Sequence, residues 1–134
     1  MKITHFAGAS VASLVTLLLL NMFVFPLFFP GGVATKFANV RPEPLLELHL
    51  AAFVSTAILL TAICAVSRRV DSIAAAAGIG ALVGVLASLP SSLHTVALTI
   101  QPISSEITAI LWTTVTWAVA AGVAHRAYRW QKPS

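Results

Sequence analysis

The chain has 134 residues, of which 58% are hydrophobic and 9% charged, against roughly 45–50% and about 25% in ordinary soluble domains. That mixture excludes a water-solvated globule, and the length allows one domain over residues 1–134. The formal net charge of +4 does not mark a nucleic-acid binder, because the basic residues sit at the ends of apolar segments and form no patch interleaved with aromatics.

Crossing a hydrocarbon core about 30 Å thick takes about 20 apolar residues. Charges fall at Lys2, Lys36, Arg41, Glu43, Glu47, Arg68, Arg69, Asp71, Glu106, Arg126, Arg129 and Lys132. The gaps between these groups predict four spans, at about 6–29, 47–67, 72–98 and 105–124. Each is hydrophobic without a polar helical face, as expected of spans rather than of amphipathic surface helices.

The first stretch follows Lys2 and runs unbroken over 6–29. Signal cores are roughly 7–15 residues long, so a retained span is favoured over a signal cut near Gly32-Val33-Ala34. Pro26, Pro30, Gly31 and Gly32 are expected to end it, since proline removes a backbone donor and glycine frees the chain. Asn21 is the polar side chain of this span. The connection that follows contains Arg41-Pro42-Glu43-Pro44, and each residue before a proline is pushed towards extended backbone.

Glu47 and His49 open the second span. Two residues apart on a helix means about 200° around the axis, so they cannot both face one site. Cys64 is the only cysteine, which rules out an intramolecular disulfide and a cysteine-based metal site. Arg68, Arg69 and Asp71 mark a tight turn into the third span.

That span carries the most regular pattern in the chain: Ser72, Ala76, Gly80, Gly84, Ser88 and Ser92 recur every four residues. Where no hydrophobic force drives helices together, small side chains let backbones approach closely and supply dispersion contacts. Ala76, Gly80, Gly84 and Ser88 are therefore the candidate helix-packing residues, towards a helix of the same chain or of another. Pro90 predicts a kink, with Ser91 or Ser92 helping to satisfy freed carbonyls. His94 follows it.

Gln101-Pro102 breaks the chain before the fourth span, where Glu106 opens a mixed face with Ala109, Thr113, Trp117 and Ala120. An acid in the first turn also suits the helix dipole. Tyr128 and Trp130, beside Arg126 and Arg129, read as an interfacial aromatic anchor.

The predicted fold is thus an all-α membrane protein, four transmembrane helices in an up-down antiparallel bundle. A faint correspondence of Pro26, Glu47 and Arg68-Arg69 with Pro90, Glu106 and the pair Arg126 and Arg129 suggests two repeated hairpins. Lys2, Arg68, Arg69, Arg126, Arg129 and Lys132 lie on one side, Lys36 and Arg41 on the other. The excess of basic residues predicts a plasma or inner membrane protein with both termini in the cytoplasm.

Asn21, Glu47, His49, Ser91, Ser92, His94 and Glu106 all fall in the outer half, which makes them candidates for one polar pocket, because ionisable groups in spans tend to face an interior or a watery cavity. No catalytic residue can be named from them. No metal site or cofactor is expected: pairing His94 with His49, or His5 with His125, would need ligands without local spacing. Phosphate loops and a nucleophile elbow are absent. The expected role is a small membrane component acting through helix packing, as a homo-oligomer or as a subunit beside a membrane protein partner in the lipid bilayer. A transporter or channel with an outer vestibule is the alternative, and a membrane-embedded enzyme acting on a lipophilic substrate the third reading.

Overall fold

The computed structural model describes residues 3–28, 46–67, 70–98 and 103–130. Its regular structure is helical: α1 (Ile3–Phe28), α2 (Leu46–Val66), α3 (Ile73–Leu98) and α4 (Ile103–Trp130). Of these, α1, α3 and α4 are long and apolar enough to cross a membrane, while the apolar part of α2, Leu50–Val66, is shorter. Lys2, Pro30, Gly31, Gly32, Lys36, Arg41, Arg68, Arg69, Gln101, Pro102 and Lys132 lie outside the described residues.

One expected helix end is met and one is corrected. Helix α1 runs to Phe28, in line with the expected limit of 29, with Pro26 inside it rather than at its end. The helix widens into a π-turn at Leu20–Val24, just before the proline, and the Phe25 N–H bonds to the Leu20 carbonyl. A proline ring crowds the carbonyl four residues back, and local widening accommodates it without breaking the rod. Pro90 likewise sits inside a continuous α3. At the other end, α4 runs six residues beyond the expected limit of 124, because its buried stripe does not stop there: Ala120, Ala121, Ala124, His125 and Tyr128 are all buried. Tyr128 therefore packs inward and is not an exposed interfacial anchor.

The four helices pack unequally. The α3–α4 pair is the most extensive, followed by α1–α4, α1–α2 and α2–α4, while α2 and α3 hardly touch although a short turn joins them. Helix α4 is thus the hub, and among the described residues α3 packs mainly on it. Neighbouring levels fix directions: Gly80 meets Trp117 and Ala121, and Gly84 meets Thr113 and Thr114, so α3 and α4 are antiparallel. Asn21 meets Trp112, which opposes α1 to α4, and Cys64 meets Ala121. The α1–α4 contact has no equal between α2 and α3, so the two hairpins are not packed as equivalent halves.

Small side chains fill the centre. Ala9, Ala57, Ala76, Ala120, Ala121 and Ala124 are buried with Ser13, Thr61 and Thr116, around Leu17 and Leu60. Large apolar side chains point out instead: Val11, Val15 and Leu19 from α1, Ile58 and Leu59 from α2, Leu82, Leu86 and Leu93 from α3, Leu111, Val115 and Val119 from α4. Transferring one such side chain out of water is worth about 1.5–3 kcal/mol. Left in water, the whole set would forgo more than the roughly 5–15 kcal/mol by which folded proteins are stable.

The hydroxyls are absorbed locally. Those of Thr16, Ser55, Thr61, Ser88, Thr95 and Thr114 donate to the carbonyl four residues back, at 2.7–2.9 Å. These hydroxyls therefore bond their own backbones rather than one another.

Candidate functional site

The end of the bundle where α1 and α3 finish and α4 begins holds most of the polar candidates. Its best-formed element is an amide–aromatic cluster. In the π-turn, the Asn21 Nδ2 donates to the Leu17 carbonyl at 2.8 Å, and its Oδ1 accepts from the Trp112 indole N–H at 3.0 Å. Phe25 and Phe28 lie against the same indole, with ring centroids at 5.3 and 6.5 Å and tilted planes. A side-chain amide that donates to its own helix and accepts from another helix ties α1 to α4.

The remaining candidates divide. Glu106 is 8% exposed and Ser92 6%. Continuing the α3–α4 register outward from Gly84 and Thr114 brings these two buried residues to the same level. Glu47, Ser91 and His94 are exposed, and the Ser91 hydroxyl returns to the Ser88 carbonyl at 2.8 Å. The His49 side chain lies outside the described residues. Ala109 is exposed and Glu106 buried, so the expected face from Glu106 through Ala109 turns partly outward. Burial thus separates Asn21, Ser92 and Glu106 from Glu47, Ser91 and His94. Among the described residues, no group of three His, Cys, Asp or Glu side chains could hold a metal ion.

The small-residue stripe is occupied by the chain itself. A Cβ added at Gly80 would collide with the Trp117 carbonyl and lie 2.6 Å from the Ala121 Cβ. At Gly84 it would come within 3.1 Å of the Thr114 Cα and 3.2 Å of the Thr113 carbonyl. Ala76 is fully buried, and the Ser88 hydroxyl bonds back to the Gly84 carbonyl at 2.7 Å. The stripe therefore lets α4 lie against α3 at backbone distance.

Three features were not singled out from sequence. Trp112 falls mid-span and carries no spacing signal, because its partner Asn21 is 91 residues away. His125 is 4% exposed and feels the charges of Arg129 and Asp71; its place in the run Ala121, Ala124, His125 and Tyr128 could have shown that the buried face continues. Ser10 and Ser13 have buried hydroxyl oxygens without a partner, which no sequence pattern distinguishes from the back-bonded ones.

The chain matches no protein family, no curated protein and no solved structure.

Proposed function

We propose that this chain is an integral membrane protein that crosses the bilayer four times, with both termini in the cytoplasm, and acts through its helix surfaces as a subunit of a membrane assembly, with itself or with another membrane protein. The observation that supports this is the inversion of the usual pattern: alanine, glycine, serine and threonine inside, leucine, isoleucine and valine outside. Hydrocarbon solvates the large side chains as well as a protein core would, and small ones let helices touch. Helix α3 adds a direction for assembly. Among the described residues it packs mainly on α4, and it presents Leu82, Leu86 and Leu93 as exposed side chains.

The channel and enzyme readings draw less support from the described residues, most of whose hydroxyls bond their own helices and whose polar candidates are divided by burial. Two measurements test the proposal. Alkaline carbonate washing of membranes should leave the chain in the pellet. Light scattering after mild detergent extraction should then give a protein mass above one 14.1 kDa chain, or a second protein in fixed ratio. Release by carbonate refutes the membrane reading, and a strict monomer with no partner refutes assembly.

A further inference from the structure

At the opposite end of the molecule from Asn21, a groove of about 460 Å³ runs between the start of α3 and the second half of α4. Ile73 and Ala77 form one wall, Ala118, Val119 and Gly122 the other, and Arg126 closes one end. Small side chains at Ala77, Ala118 and Gly122 leave this space between the two helices. A Cβ at Gly122 would already touch the Ile73 side chain at 3.3 Å.

We infer that this groove holds one acyl chain of an anionic phospholipid, with the lipid phosphate on the Arg126 guanidinium. The inference rests on the membrane reading above. Three features of the site carry it.

Length fits first. From Arg126 to Ala118 is eight residues, about 12 Å along a helix, close to the half-thickness of a hydrocarbon core about 30 Å across. A chain lying along α4 thus reaches from the headgroup level nearly to the midplane.

Charge fits second. Arg126 is exposed, and its planar fork matches phosphate oxygens in pairs. Exposed Arg129 lies about one turn further along α4. Asp71 is the opposing acid here, and its charge acts on buried His125. The balance is positive, which favours an anionic over a zwitterionic headgroup.

The third feature is the start of α3, at the same end. Ser72 caps it, accepting the Ala75 N–H on its hydroxyl at 3.1 Å. Ile73, the first residue of that helix, is itself a wall of the groove, so the positive end of the helix dipole faces the headgroup level.

Native mass spectrometry of the full chain tests this, with phosphatidylglycerol and phosphatidylcholine of identical acyl chains added in competition. The intact protein should retain one phosphatidylglycerol in preference to phosphatidylcholine, by several-fold. Arg126→Gln should abolish the preference, and Ala118→Leu, which fills the groove, should remove the bound lipid of either kind. Equal retention of the two lipids by the unaltered chain would overturn the proposal, since only annular lipid would then be present. So would a phosphatidylglycerol preference unchanged by Arg126→Gln, or a lipid that survives Ala118→Leu. Should either variant fail to fold, the competition on the unaltered chain still decides. Failure of these tests in a chain that resists carbonate washing counts against the groove and leaves the membrane reading standing.

Discussion

Adding a single methyl group at each of three glycines of α3 should separate their roles. Gly80→Ala places a Cβ 2.6 Å from that of Ala121, where ordinary contact begins at 3.4 Å. Restoring contact means moving α4 outward by at least about 0.8 Å, the difference of those distances, since the Trp117 carbonyl lies nearer still. The atoms in the way are backbone and a side chain with no rotamers, so nothing smaller can yield. A gap of 0.5–1 Å forfeits about a quarter to a half of each dispersion contact across the interface, and overpacking of this kind costs about 1–3 kcal/mol. The gain in helix propensity, about 0.5–1 kcal/mol, recovers only part. Gly84→Ala meets its nearest atom at 3.1 Å, a deficit of about 0.3 Å, and should be close to neutral. Gly78→Ala meets nothing within 4 Å and should stabilise by the propensity gain alone. Thermal unfolding in one detergent should therefore rank Gly78→Ala above the unaltered chain and Gly84→Ala, with Gly80→Ala lowest. The reasoning fails if Gly80→Ala proves as stable as Gly78→Ala.

Asn21→Leu and Trp112→Phe should each destabilise by about 0.6–1.7 kcal/mol, and the double variant by less than their sum, since both remove one interhelical hydrogen bond; additive losses would show that the pair is not coupled. Cys64, buried between α2 and α4, should react with N-ethylmaleimide at least about tenfold more slowly in the folded protein than in SDS, in line with the rarity of local opening in packed helices. Equal rates would place it on the surface. Replacing Pro90 by alanine restores a donor inside α3 and should raise stability in the same thermal unfolding assay, by up to about 3 kcal/mol; a loss of stability would refute this. Reporter fusions after Ser134 and within 35–39 should give cytoplasmic and outside signals respectively; a reversed result removes the proposed orientation.

Helix number and approximate limits were readable from sequence because they depend on where charges interrupt apolar runs, a local property. The stripe of Ala76, Gly80 and Gly84 was readable for the same reason, since spacing along one helix is local. Its partner was not, because the face it offers would fit a helix of this chain or of another equally well. Tertiary structure assigned it to α4. It also carried α1 through Pro26, where a π-turn absorbs the missing donor, and extended α4 to Trp130, where packing around Tyr128 outweighs the nearby arginines. The outer polar residues show the limit most plainly. Sequence placed Asn21, Ser92, His94 and Glu106 at one level of the molecule, since depth follows from position along a span. Which of them turn inward depends on how each helix is rotated about its axis, and that is set by the side chains of its neighbours: Trp112 draws Asn21 in, while no packed helix covers His94.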